Sequence, residues 1–327
     1  LSDYGTYYDL YVMRVNGDNG SVVWNKKVKY PTENRFSNFV ITNDNNIVAA
    51  TTIRGGGLFL TKLNLLGEVL WAKTIDRSGD FQKTSNFVPD NKNGFLFGFL
   101  DGINGIIGIS FDGIINFAYK NNNNSHFRII TKHPTNGYII SSYLDWNNRA
   151  TNNELIYINN DYNIIWKKLI NPTVNQSGYC VGCTSPYTAV NKQGEIISIT
   201  ESAISGAIKF NFSKFNQNGE HIYSVSGNNN DLQFLSSGYG ANNTIFSLGN
   251  TTRENLCLPT NKNGLFSTYK DNLEICDTKS FTPKVTNSTT TLTELLASSF
   301  NLQNTNYTLS SINTIVTDNI LKARNLC

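Results

Sequence analysis

Few residues in the chain stand at spacings that do chemistry. Cys180-Val-Gly-Cys183 has the gap of a zinc knuckle or a redox pair. Zinc asks for four ligands, however, and neither a second close pair nor a His cluster accompanies this one. A redox motif opens a helix beside a βαβ unit, whereas this pair lies between β segments. The five cysteines include Cys327, so one at least lacks a partner within the sequence. Cys180, Cys183, Cys257 and Cys276 are candidates for structural disulfides in an oxidising compartment, a reading favoured over free thiols and, further behind, metal or redox chemistry.

His126, His133 and His221 form no His-x-His or His-Glu-x-x-His pattern and are expected at surface or strand-edge positions. Paired carboxylates could support glycoside hydrolysis, with Asp76, Asp80, Asp101, Asp145 and Glu201 as the loop candidates, although loop acids are ordinarily just solvated. Asn228-Asn-Asn-Asp231 is rich in oxygen ligands but is not an Asp-x-Asp-x-Asp-Gly calcium loop. No catalytic residue, metal or cofactor is therefore expected. Asp145-Trp146-Asn-Asn-Arg149 and Ser177-Gly-Tyr179-Cys180 set aromatics beside hydrogen-bonding groups, which suits sugar or peptide recognition by Trp146, Arg149 and Tyr179. The alternative for Trp146 is to cap a sheet edge.

The elements that would position these residues are legible in composition and repetition. Charged residues make up 16% of 327, and the balance of 27 basic to 24 acidic residues leaves only +3, dispersed along the chain. Neither nucleic acid nor an anionic membrane surface is an expected partner. No apolar run approaches the ~20 residues of a membrane span, so no membrane insertion is expected. Asn supplies 49 residues, a bias that suits turns and left-handed backbone and suits helices poorly. Both ends of the sequence look like the interior of a longer polypeptide.

A hairpin recurs along the chain. Leu10–Val15 with Ser21-Val-Val-Trp24 is followed by Leu58–Leu63 with Gly67-Glu-Val-Leu-Trp71, then by Ile106–Phe111 with Gly113–Phe117 and Leu155–Ile158 with Asn163–Trp166. Ala207–Phe215 with Gly219–Tyr223, and Leu265–Tyr269 with Leu273–Cys276, are weaker copies. Trp24, Trp71, Phe117, Trp166 and Tyr223 thus form a repeat of aromatic positions, expected one per unit at an outer seam between sheets. A second hairpin type sits between successive copies, around Phe39–Ile47, Phe87–Phe95, Ile129–Tyr138, Thr188–Ile196 and Leu235–Ile245. Four short strands every ~45–50 residues is the period of a propeller blade. Six copies of one hairpin against five of the other leave an inner pair to be supplied from elsewhere. Long connections, such as 76–86, 144–154 and 169–186, should share one face, and binding sites favour such loops.

The segment Lys62-Leu-Asn-Leu-Leu-Gly67-Glu-Val-Leu-Trp71-Ala-Lys resembles the repeats of bacterial extracellular β-propellers, frequent in large secreted surface proteins of Bacteroidetes. The resemblance spans roughly residues 9–280 and implies fold more than function. It also implies export by type IX secretion. The expectation is an all-β chain: a β-propeller of six or seven four-stranded blades over 1–282, and a short Thr/Ser-rich β extension, or the start of a further module, over 283–327. Its expected role is non-catalytic binding or scaffolding outside the cell, in adhesion or surface assembly, with other protein modules or surface glycans as partners. The alternatives are a polysaccharide-active hydrolase or lyase, and a propeller that docks on secretion or gliding machinery.

Overall fold

The computed structural model describes residues 10–29, 34–53, 57–76, 83–101, 103–121, 125–144, 153–171, 187–204, 207–228, 232–239, 245–251, 263–269 and five short strands between 278 and 311. All 27 elements among these residues are β-strands, and every strand pair is antiparallel. β-Branched and aromatic residues fill the strands, and Asn, Asp and Gly break them.

The strands fall into six sheets. Sheet I pairs β1 (Leu10–Val15) with β2 (Val22–Lys29). Sheet II is a meander of β3 (Asn34–Ile41), β4 (Ile47–Ile53), β5 (Leu58–Leu63) and β6 (Val69–Asp76). Sheet III divides its first strand into β7 (Lys83–Thr84) and β8 (Val88–Asp90), both paired with β9 (Gly94–Asp101), and continues through β10 (Ile103–Ser110) to β11 (Ile115–Asn121). Sheet IV contains β12 (Ser125–Lys132), β13 (Tyr138–Leu144), β14 (Asn153–Ile158) and β15 (Ile164–Asn171). Sheet V contains β16 (Tyr187–Val190), β17 (Ile196–Ile204), β18 (Ala207–Phe215) and β19 (His221–Asn228). Sheet VI has β20 (Leu232–Tyr239), β21 (Ile245–Thr251) and β22 (Asn263–Tyr269).

The C-terminal segment adds edge strands to these sheets in reverse chain order. β23 (Thr278–Ser280) pairs with β19, β24 (Lys284–Asn287) with β15, β25 (Leu292–Glu294) with β11, β26 (Asn301–Asn304) with β6, and β27 (Thr308–Ser311) with β2. Each covers the outer edge that the fourth strand of a meander would leave open.

Two compact units divide the chain: residues 1–121 with 292–324, and residues 122–291 with 325–327. In the first, Leu58, Leu60 and Ile75 of sheet II pack with Phe95, Phe97, Phe99 and Ile107 of sheet III, while Val28 of sheet I meets Ala49, Phe59 and Ala72 of sheet II. In the second, Ile139, Leu155 and Ile170 of sheet IV pack with Ile196 and Phe215 of sheet V. The whole of β5 is buried, as expected for a strand covered on both faces.

One turn design recurs between third and fourth strands. Asn64 and Asn216 each close a β-turn by accepting from the amide of a residue three on, Gly67 and Gly219. These glycines adopt φ of 78° and 74°, a left-handed conformation open to glycine at no steric cost. The Asn64 carboxamide oxygen accepts from the amides of Leu66 and Glu68, and its nitrogen donates to the Glu68 carboxylate; Asn216 does the same with Asn218 and Glu220. Asn191 repeats the arrangement with Gln193 and Glu195 in the first turn of sheet V. Asn64→Ala removes three such bonds and should lower stability by about 1–2 kcal/mol in chemical denaturation, since each exposed bond is worth ~0.5–1 kcal/mol net. Asn64→Asp should recover part of the loss by keeping the acceptors.

Candidate functional site

The repeated aromatics share one register position. Trp24 pairs with Arg14, Trp71 with Lys62, Phe117 with Gly108, Trp166 with Tyr157 and Tyr223 with Lys214, and in all five hairpins the register shifts immediately afterwards. The extra residue of a β-bulge re-aims the side chains beside it. All five aromatics are half-buried.

The three indoles reach into the following sheet. Trp24 Nε1 donates to the Leu65 carbonyl (2.8 Å), Trp71 Nε1 to Phe111 (2.9 Å) and Trp166 Nε1 to Gln217 (3.1 Å). Each acceptor is the second residue of the next sheet's third-to-fourth turn, whose carbonyl the turn's own hydrogen bond leaves free. In two cases the residue opposite the indole donates to the same oxygen: Arg14 Nη1 to Leu65 (2.7 Å) and Lys62 Nζ to Phe111 (3.2 Å). The ring lies on the turn glycine, so a Cβ added at Gly67 would stand 3.0 Å from Trp24, and one at Gly219 3.0 Å from Trp166. Sheet III departs from the device. Phe117 has no N–H and its ring covers Gly108, where a Cβ would come within 1.8 Å of it.

The residue opposite the aromatic also secures the first turn of its own sheet. Lys62, almost wholly buried, places Nζ 2.7 Å from Asp44 Oδ2, and Lys214 places Nζ 2.9 Å from Glu195 Oε2. The Tyr157 hydroxyl donates to the Asn136 carbonyl and its ring lies 4.8 Å from that of His133. Burial alone would raise the Asp44 carboxyl, but Lys62 together with hydrogen bonds from Thr42 and Asn46 outweighs it and holds the group at about 2. Burial opposes Lys214 and Asn191 in the same way at Glu195, whose pKa also ends below its ordinary value. These acids are each matched to one cation in separate turns.

His133 directly follows β12, a strand-edge position as expected, but it is not at the surface. It is buried in the first turn of sheet IV, with Nδ1 3.0 Å from the Thr135 hydroxyl and Nε2 against Gly194 of sheet V. Burial pushes its pKa below the ordinary 6.5, partly countered by the Gly194 backbone. His221 is half-buried, with Nε2 2.7 Å from Ser224 Oγ, and burial shifts it the same way. Among the remaining candidates, Asp76 ends β6, Asp101 ends β9, Glu201 lies in β17 and His126 in β12. Trp146, Arg149, Tyr179, Asp80, Asp145 and all five cysteines lie outside the described residues, as does the Asn229–Asp231 run.

An apolar groove that the sequence reading missed lies between sheets I and II. It has a volume of about 380 Å³ and is lined by Val12, Met13, Val15, Phe39, Ile41 and Ile47 among others. Met13, Val15, Phe39 and Ile41 are all exposed, and among the described residues β1 forms the edge of its sheet beside them. An open strand edge next to apolar side chains can take an extended peptide, with backbone hydrogen bonds giving affinity and alternate side chains giving selectivity. The alternation Phe39-Val-Ile41 resembles any half-buried strand, so only the fold distinguishes its open face.

No family model matches the chain, and no curated protein matches it. Among solved structures, a protein of unknown function from Bacteroides caccae is similar over 82% of this chain and 88% of its own, at 12% identity and a TM-score of 0.44.

Trp71→Phe should keep the ring and lose the indole donor, lowering stability by about 1 kcal/mol, whereas Trp71→Ala should cost about 2–3 kcal/mol, below the range of a fully buried aromatic. Thermal or denaturant unfolding of the two variants reads the difference. Acid should destabilise the fold in stages. His133 and His221 bind protons more weakly folded than unfolded, so stability holds above pH 6.5 and falls as the unfolded chain protonates below it. The Asp44 and Glu195 contributions persist to lower pH and are lost as the carboxylates protonate. Denaturation midpoints of His133→Asn measured between pH 7 and 5 should fall less steeply than those of the wild type.

Proposed function

We propose that the chain is a non-catalytic binding and scaffolding module of a secreted bacterial cell-surface protein, with its six sheets serving as blades of one β-propeller. Polypeptide is the partner class the groove suits best. The observation that carries this reading is the apolar groove of about 380 Å³ beside β1, which among the described residues carries no strand on that edge. The turn ion pairs support it, because Lys62 with Asp44 and Lys214 with Glu195 satisfy each other in repeated structural positions. The Trp-based contacts add a stiff frame on which a binding surface keeps its shape. Rigid repeats and an exposed apolar strip among the described residues support adhesion or assembly at the surface as the role.

An immobilised-protein assay with the nine-residue β-strand peptide Ile196–Ile204 as the extended probe tests this reading. Saturable binding is expected, weakened about tenfold or more by Met13→Asp, a loss of at least ~1.4 kcal/mol. Release of new reducing ends from surface polysaccharides, or binding unchanged in Met13→Asp, would contradict it.

A further inference from the structure

Asparagine is followed by glycine at seven places in the chain, the pairing in which a backbone amide nitrogen meets least steric hindrance on its way to the preceding side-chain carbonyl carbon. The fold commits the glycine at six of them. The Gly20 amide donates to the Asn16 carbonyl (2.8 Å), the Gly137 amide to Asn160 Oδ1 (2.8 Å) and the Gly219 amide to the Asn216 carbonyl (3.0 Å). Gly94, Gly105 and Gly264 lie in β9, β10 and β22, whose pairing holds the backbone extended. Gly17 is the remaining case. It is exposed and outside any strand, a Cβ added there would meet no atom within 4 Å, and its amide donates to nothing among the described residues.

The side chain before that free amide is held in place. Asn16 directly follows β1, and its Oδ1 accepts from the Asp18 amide (2.8 Å), an Asx turn that folds the carboxamide back along its own backbone. The same bond sets a donor on the oxygen that turns negative when Cγ is attacked. Asn64 and Asn216 share this bond, but their Nδ2 atoms donate to Glu68 and Glu220, and Leu65 and Gln217 follow them in the chain. The Asn16 nitrogen has no such acceptor among the described residues. Asn19, three residues on, is an internal control. It is exposed, precedes a glycine and accepts from the Ser21 amide (2.9 Å), yet its Gly20 amide is spent on the Asn16 carbonyl.

We infer that Asn16 with Gly17 is a self-modification site, at which the folded chain converts Asn16 to aspartate and isoaspartate through a succinimide. The Gly17 nitrogen gives its proton to hydroxide and attacks Asn16 Cγ, and the new bond from Cγ to nitrogen closes the ring. The bond from Cγ to Nδ2 breaks, and that nitrogen takes a proton from water and leaves as ammonia. Water then opens the ring at either carbonyl. Attack at Cγ breaks the new bond and leaves aspartate on a normal backbone. Attack at the main-chain carbonyl breaks its bond to the Gly17 nitrogen and routes the backbone through Cβ and Cγ, which is isoaspartate. The net change consumes water, releases ammonia and oxidises nothing. Isoaspartate lengthens the main chain at the residue whose amide donates to the Ser21 carbonyl and whose carbonyl accepts from Gly20, so it disturbs the closing turn of the hairpin that carries Arg14 and Trp24.

The test incubates the intact chain in neutral and in mildly alkaline buffer and follows aspartate and isoaspartate at each Asn by peptide mapping. Conversion at Asn16 should lead conversion at Asn19 by about tenfold or more, and it should quicken with pH because the attacking nitrogen is the deprotonated amide. In denaturant, where both glycine amides are free, the two sites should react at similar rates. Gly17→Ala, at a position with room for a Cβ and with wild-type circular dichroism expected, should slow conversion at Asn16 and leave Asn19 unchanged. No conversion at Asn16 in the folded chain, or conversion led by Asn19 or another Asn, overturns the inference. The same lead for Asn16 in denaturant as in buffer also overturns it, since the preference would then belong to the local sequence and not to the fold.

Discussion

A tight turn leaves the carbonyl of its second residue without a partner inside the turn, and where sheets stack that oxygen is turned toward protein. Leu65, Phe111 and Gln217 are such residues, and each receives an indole N–H from the sheet before it. Much of the local design follows from this one requirement. The aromatic stands four residues after the turn glycine or its equivalent, the bulge re-aims it, and a glycine at the receiving turn keeps the ring's seat flat. Phe111 is buried, where an unpaired carbonyl costs ~1–3 kcal/mol, whereas Leu65 and Gln217 are exposed and their bonds are worth the ~0.5–1.5 kcal/mol of an ordinary hydrogen bond.

Edges are the second constraint. A four-stranded meander exposes backbone on both sides, and a chain made of such units invites unwanted pairing. Here the outer edges of sheets I to V are taken by strands of 3 or 4 residues from the C-terminal segment, visiting the sheets in reverse order. Short strands suffice because each needs only to cap a few donors and acceptors, and Thr and Ser fit a half-exposed ribbon. Each sheet still ends at a strand with no further partner among the described residues, β1 in sheet I as β3, β12 and β16 in sheets II, IV and V, and the exposed Phe39 beside β1 gives that edge a chemical character.

The hairpin period, the turn residues and the aromatic positions were legible in the sequence because each repeats with its own local chemistry. Asn64-Leu-Leu-Gly67 and Asn216-Gln-Asn-Gly219 look alike in sequence and behave alike in space. The path of residues 278–311 was not legible, since strands so short carry no periodicity and their partners lie far back in the chain. Nor was the Lys62 to Asp44 pair, which joins a strand to a turn 18 residues away through alignment of the strands between. The strand-end position of His133 was legible but its burial was not, because a histidine in an Asn/Pro/Gly turn looks solvated until the next sheet's Gly194 covers it. The exposure of Phe39 was not legible either, because the alternation Phe39-Val-Ile41 is that of any half-buried strand.

The central claim is that the indole contacts couple sheets I, II and IV to the turns of sheets II, III and V. Native-state amide exchange of Trp24→Phe measures that coupling directly, because the substitution keeps the ring and deletes the donor. The account predicts loss of protection at residues 64–68, in the sheet that receives the bond, exceeding any loss in the hairpin Leu10–Lys29 that contains the mutation. Faster exchange confined to residues 10–29, with 64–68 unchanged, would contradict it.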